Sequence, residues 1–214
     1  MVVRDAEPGL ELLLLERVPR EGEPGPWVFP GGKVDAADLR PGEDEVAAAR
    51  RAAAREAREE AGLALAVDSL VTISRWITPE ISPKRFDTWF FLARLSGAAE
   101  VRVDGAEIRA HRWLTPADAL ALHHAQSVRL APPTFVTVSW LASHRRAAEA
   151  ARALGGRSIP TFRPRIVRLE HGAVMLYPGD AGYEPLDAQA QGPRHRLYAL
   201  SEGWRYERDL AEAP

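Results

Sequence analysis

The chain contains no cysteine, which excludes disulfides and thiolate metal sites. Lysine is nearly absent as well, occurring only at Lys33 and Lys84, so basic charge is carried almost entirely by arginine. A net charge of −2 provides no bulk field that would favour nucleic acid or an anionic membrane. No apolar run approaches the length that spans a bilayer, and Met1-Val-Val-Arg-Asp-Ala-Glu-Pro8 does not read as a signal peptide. These absences set the expectation of a cytoplasmic protein without disulfides.

What is present suits an α/β domain. Hydrophobic residues make up 46% of 214, enough for one sizeable core plus an appendage. Leu10–Val18, with Leu12 to Leu15 unbroken, reads as a strand buried on both faces. Gly22–Pro26 is a turn, and Trp27-Val28-Phe29 leads into Gly31 and Gly32. Glu43–Ala61 is alanine-rich, with acids in its first turn, and predicts a helix. Strands are expected within Leu63–Ile77, at Phe86–Leu95 and at Ile108–Leu114. Thr115-Pro-Ala-Asp118 predicts a capped helix start, and Pro132-Pro133 open a longer helix to about Leu154. After residue 157 the pattern changes to short strands, Ile166–Leu169, Ala173–Tyr177, Arg196–Leu200 and Trp204–Tyr206, between Gly, Pro and Asp turns. So short a segment buries little core alone, which predicts an extension (158–214) packed on a main domain (1–157). It could cover the main sheet, contribute to a homodimer or shape a substrate pocket.

The densest chemistry lies in Arg55-Glu-Ala-Arg-Glu-Glu-Ala-Gly-Leu63. Residues three and four apart share a helix face, so Glu56, Glu59 and Glu60 project together. Like charges at that spacing cost about 0.2–0.5 kcal/mol per pair, and a hard divalent cation such as Mg²⁺ or Mn²⁺ would offset them. A solvated acidic face accounts for three glutamates taken alone. The flanking residues argue for more than that. Arg55 reaches Glu59 at i,i+4, and Gly62 supplies the left-handed residue that ends the helix. Gly31 and Gly32 permit close backbone approach, with Lys33 next to them as a compact charge for a phosphate.

With these residues the chain resembles the Nudix hydrolases. The second half of their box, Arg-Glu-apolar-x-Glu-Glu-x-Gly-apolar, is matched throughout at Arg55, Glu56, Ala57, Glu59, Glu60, Gly62 and Leu63. The first half departs: 23 positions separate Gly32 from Arg55, which implies an insertion, and Gly42-Glu43 stands unusually far from Arg55. The resemblance covers roughly residues 1–145. It implies an α/β/α sandwich around a mixed β-sheet, here with a β-rich C-terminal extension. It also implies hydrolysis of a pyrophosphate joining a nucleoside to another moiety, by water attack at phosphorus. Glu56 and Glu60 would ligate Mg²⁺ or Mn²⁺ with the Gly32 carbonyl, Glu59 would be a third ligand or a base, and Arg55 would hold the carboxylates. A further acid from a distant loop often completes such sites, and Glu107 is the candidate.

Substrate choice draws on Arg75-Trp-Ile-Thr-Pro-Glu-Ile-Ser-Pro-Lys-Arg-Phe-Asp-Thr-Trp-Phe-Phe91. Lys84 and Arg85 could grip a phosphate and Trp76 or Phe86 could stack a base, while Trp89, Phe90 and Phe91 are expected in the core. This loop and the lengthened box resemble the branch related to peroxisomal coenzyme A diphosphatases, which implies coenzyme A or acyl-coenzyme A as substrate. His123-His124 read as a helix-end pair rather than metal ligands, because adjacent helical residues diverge. The alternative is a non-catalytic Nudix-fold module that binds a nucleotide and regulates a partner. The intact glutamates argue against it, and the absence of cysteine argues against an isomerase that uses one.

Overall fold

The computed structural model describes residues 1–19, 25–97 and 99–209. They form two compact units, one of residues 1–73 and 89–156, the other of 74–88 and 157–214. The expected Gly22–Pro26 turn lies mostly outside the described residues.

In the first unit, β1 (Val2–Asp5), β2 (Leu10–Arg17), β3 (Trp27–Val28), β6 (Ile108–Leu114) and the 71–73 and 89–94 parts of β4 (Val71–Ile77) and β5 (Asp87–Arg94) build a mixed sheet. Strand β2 is its centre, pairing antiparallel with β1, β3 and β6. Strand β1 pairs parallel with β5, which neighbours β4. Side chains alternate between the faces of a strand, so the unbroken Leu12–Leu15 run must be covered on both. Leu13 and Leu15 pack with Val2, Phe91 and Ile108 against the alanines of α1 (Glu45–Ala61). Leu12, Leu14 and Val3 are left to the opposite face and are fully buried there. On that side α2 (Pro116–His124) contacts β2 and β6, and α4 (Ala147–Gly155) contacts β1, with α3 (Pro132–Leu141) against α2. The result is an α/β/α sandwich.

Two differences from the sequence reading have physical causes. Strand β1 carries no alternating pattern in its four residues, yet Val2 and Val3 are buried between β2 and β5. The single helix expected from Pro132 to Leu154 is two, α3 and α4, separated at 142–146. The break is held from outside: the Asp5 carboxylate at the end of β1 accepts a hydrogen bond from the Ala147 N–H at 2.8 Å, and Ser143 Oγ donates to the Trp140 carbonyl. A strand partner thus satisfies the N–H that a continuous helix would have used.

The second unit holds an antiparallel sheet in the order β11 (Gly203–Arg208), β10 (His195–Leu200), β9 (Gly172–Leu176), β8 (Arg165–Leu169). The four strands expected after residue 157 are these four, each within two residues of its expected ends. A short strand β7 (Thr161–Phe162) pairs parallel with Arg75 and Trp76 at the end of β4. Phe162 stacks on Trp76 at 3.9 Å, and Tyr177 meets both rings edge-on. Under the β9–β10 end lies a fully buried ion pair in which Arg196 Nε and Nη2 donate to Asp180 at 2.7 and 2.5 Å. His195 and Gly182 N–H groups donate to the same carboxylate, so this buried charge is satisfied on every side.

Candidate active site

Helix α1 positions the acidic cluster. The Asp44 side chain caps its start by accepting from the Ala47 N–H at 2.8 Å, and Gly62, at φ 69°, ends it in the left-handed conformation that glycine adopts without strain. Because Ala49, Ala54 and Ala61 are spent on the core, Glu56 and Glu60 are carried on the flank of the helix that meets the loop after β3. The Gly31 N–H donates to Glu60 Oε2 at 2.8 Å. The Glu56 carboxylate lies so close over Gly32 that a Cβ there would overlap it. Glycine lets the carboxylate keep this position; a Cβ would push it aside.

Glu60 is buried, and its pKa is pushed up to about 7. Burial is the largest cause; the Gly31 hydrogen bond opposes it, and the charges of Glu56 and Glu107 raise it further while Arg17 lowers it. Glu107 therefore belongs to the same electrostatic neighbourhood as Glu60, although 47 positions separate them in the chain. It is held at the start of β6 by its carbonyl, which accepts from Val18 N–H, and its carboxylate pairs with Arg17 at 2.7 Å. The Asp104 carboxylate orders the approach by accepting from the N–H groups of Ala106, Glu107 and Ile108.

Arg55 is the hub. Nη1 donates to Glu56 Oε1 at 2.8 Å and to Glu59 Oε2 at 3.0 Å, the latter being the i,i+4 contact expected from the sequence. Nη2 donates to the Lys33 carbonyl and to Asp38 Oδ2, both at 2.9 Å, and Nε reaches Asp38 Oδ1 at 3.4 Å. These anions raise the Arg55 pKa above its already high ordinary value, with Asp38 the largest cause.

The structure thus gathers Glu56, Glu60, Gly32, Arg55, Glu59 and Glu107, with Lys33 exposed on the loop that follows the glycines. Glu59 is turned outward to Arg55 and is well exposed, whereas Glu56 and Glu60 flank the glycines. Among the described residues no three His, Asp or Glu side chains converge on one cation position. The donor set nevertheless fits a hard cation: two carboxylates meet backbone at Gly31–Gly32, and one of them, Glu60, is buried, its pKa raised chiefly by that burial and further by the charges of Glu56 and Glu107.

Trp76 is placed differently from its expected substrate-stacking role. It lies in the second unit, 4% exposed, with one face covered by Phe162 and its indole N–H donating to Ser74 Oγ. A ring so enclosed has no face to offer a base. Lys84 and Arg85 also belong to the second unit, exposed on its 78–86 turn, with Lys84 Nζ over the Phe86 ring. His123 ends α2 as expected, where its Nδ1 accepts from the Leu130 N–H and burial, with His124, lowers its pKa. Sequence reasoning missed Asp38 and Arg17. Local hints of the first were its place six positions after Gly32 and the Asp35-x-x-Asp38 spacing, in which the Asp35 N–H donates to Asp38 Oδ2.

Residues 1–133 match the model of the NUDIX domain. The chain belongs to the Nudix family. It is 31% identical over 136 residues to the acyl-coenzyme A diphosphatase of Xenopus laevis, covering 60% of this chain and 36% of that protein. To the human protein of the same name it is 31% identical over 192 residues, covering 85% of this chain and 49% of the relative. The chain therefore spans about half the length of these relatives or less. Among solved structures, the NUDIX hydrolase of Alicyclobacillus acidocaldarius superposes with a TM-score of 0.64 at 26% identity, covering 72% of this chain and 93% of that one. The NUDIX match ends at residue 133, and the β8–β11 sheet lies wholly after it.

Proposed function

We propose that this Nudix chain is a divalent-metal-dependent diphosphohydrolase acting on coenzyme A or acyl-coenzyme A. Hydrolysis would yield phosphopantetheine, acylated where the substrate is, and adenosine 3′,5′-bisphosphate. The observation that carries the reaction class is the seating of Glu56 and Glu60 on Gly31–Gly32 with Arg55 bridging Glu56 and Glu59. The substrate class is supported by the two acyl-coenzyme A diphosphatases, which are each 31% identical to it over the aligned residues.

Glu56 and Glu60, with the backbone at Gly32, would hold Mg²⁺ or Mn²⁺. When bound, such a cation neutralises phosphate charge and acidifies water. Arg55 keeps two carboxylates in one orientation, so they need not reorganise when substrate arrives. Glu107, which pairs with Arg17 and acts on the charge of Glu60, would take the proton of an attacking water, with Glu59 the other candidate base. Lys33, next to the glycines, offers its ammonium to a substrate phosphate.

The experiment is product chromatography after incubation with Mn²⁺ or Mg²⁺ and a panel of coenzyme A, acetyl-coenzyme A, ADP-ribose, NADH, diadenosine polyphosphates and nucleoside triphosphates. Release of adenosine 3′,5′-bisphosphate from coenzyme A substrates alone, abolished by chelator, is the expected result. Cleavage of another panel member would keep the hydrolase and discard coenzyme A. No cleavage at all, with Mn²⁺ bound, would favour a nucleotide-binding regulatory module.

A further inference from the structure

The positions that lengthen the box lie between Asp38 and Arg55, and with the start of α1 they build a cleft of about 320 Å³. Arg40 and Glu43 come from the added stretch, Arg50 and Arg51 from the first two turns of α1, and Val67 and Asp68 from a short 3₁₀ turn (Val67–Ser69). Three guanidinium groups against two carboxylates leave the lining one positive charge in excess. Neither the glycines nor any carboxylate of the acidic cluster lines it.

The three arginines are committed to different degrees. Arg51 is satisfied: its Nε donates to the Asp38 carbonyl at 2.8 Å, and its guanidinium pairs with Glu43. Arg50 is held in place without being neutralised. Its Nη2 donates to Thr72 Oγ1 at 3.1 Å and its Cζ stands 5.7 Å from the centre of the Phe91 ring, but no carboxylate pairs with it among the described residues. Its Nε is shielded from solvent and has no acceptor among them either. Buried N–H groups are nearly always paired, and a guanidinium cannot escape the cost by losing its proton. Arg40 is exposed, and its side chain makes neither a hydrogen bond nor an ion pair among the described residues. Asp68 is exposed as well and pairs with none of the three. The start of α1 is not the recognition element, because Asp44 already accepts from the Ala47 N–H there.

We propose that this cleft is a second anion site, in which Arg40 and Arg50 together take a phosphate group, either free or carried by a small monoester. A guanidinium presents its donors in a rigid fork that matches phosphate oxygens two at a time. Arg50 is already oriented by Thr72 and Phe91, so little of its freedom is lost on binding. The volume stands at the low end of small-molecule pockets, which leaves room for a sugar-sized carrier beside the phosphate, against Val67. This assignment does not depend on the reaction proposed above, since the two sites share no side chain.

The test is isothermal titration calorimetry of the full chain at low salt, with inorganic phosphate and ribose 5-phosphate as probes. Chelator is present throughout, which removes any cation through which the acidic cluster would hold a phosphate. Wild type is expected to bind in the millimolar range or tighter. Arg40→Glu and Arg50→Lys should each weaken binding by about tenfold or more, and Asp68→Asn should strengthen it. Tighter binding of ribose 5-phosphate would identify a monoester as the ligand, and equal or weaker binding the free ion. Arg40 is exposed, so Arg40→Glu should keep the wild-type thermal midpoint and stay informative even if Arg50→Lys unfolds. No heat of binding with either probe, or wild-type affinity in folded Arg40→Glu, would overturn the proposal. So would binding lost in Lys33→Ala but kept in Arg40→Glu, since the phosphate would then sit beside the glycines.

Discussion

Glu60 should make the metal-free protein less stable than it need be. Its carboxylate is buried beside Glu56 and Glu107, and its pKa stands at about 7 against an ordinary 4.5. A group whose pKa is raised on folding contributes stability that is complete below the unfolded value. That contribution is lost as pH climbs through the folded value, so the loss here falls between pH 4.5 and about 7. At about 1.4 kcal/mol per pH unit the interval corresponds to at most about 3 kcal/mol, and water reaching the carboxylate reduces it to about 1–2 kcal/mol. Glu60→Gln removes the charge while its amide oxygen can still accept the Gly31 N–H. In chelator at pH 8 the variant is therefore expected to be about 1–2 kcal/mol more stable than wild type, a gain that vanishes below pH 4.5. Equilibrium urea unfolding across this range measures it. Adding Mn²⁺ should stabilise wild type and leave the variant nearly unchanged, because a ligand stabilises only the form that binds it. A variant less stable than wild type at pH 8 without metal, or one stabilised by Mn²⁺ as strongly as wild type, would refute the reasoning.

Other outcomes are expected on the same grounds. Gly32→Ala places a Cβ against the Glu56 carboxylate, so turnover should fall by about 10²-fold with little change in thermal midpoint, since a small misplacement at the chemistry suffices. Asp180→Ala strands Arg196 as a fully buried cation, and unfolding should show a loss of about 3–5 kcal/mol. Tyr177→Phe should leave stability unchanged or raise it by about 1 kcal/mol in thermal unfolding. The Tyr177 hydroxyl has no hydrogen-bond partner among the described residues, and burial holds its pKa above the ordinary value.

Local geometry explains what could be read from the residues. The Arg55–Glu59 contact, the shared flank of Glu56 and Glu60 and the Gly62 cap all follow from a helix whose period is known once it is recognised. The four strands of the C-terminal sheet were legible because Gly, Pro and Asp turns bracket short apolar runs. Arg75–Phe91 was harder, because an aromatic flanked by cations looks the same in sequence whether it meets a ligand or a core. For Trp76 the decision came from the pairing of β4 with β7, which lays Phe162 over its ring.

The sequence by itself determined the class of this protein, since the residues that define the box lie within two turns of one helix and need no distant partner to align. Tertiary structure alone decided which of those carboxylates is buried, that Glu107 stands near Glu60, that Asp5 divides one expected helix into two, and that Asp38 anchors Arg55. Each of these joins residues that no helical or strand period links. Their meeting follows from how the sheet, its covering helices and the Ala36–Asp38 turn pack, and from the low dielectric that packing creates around a charge.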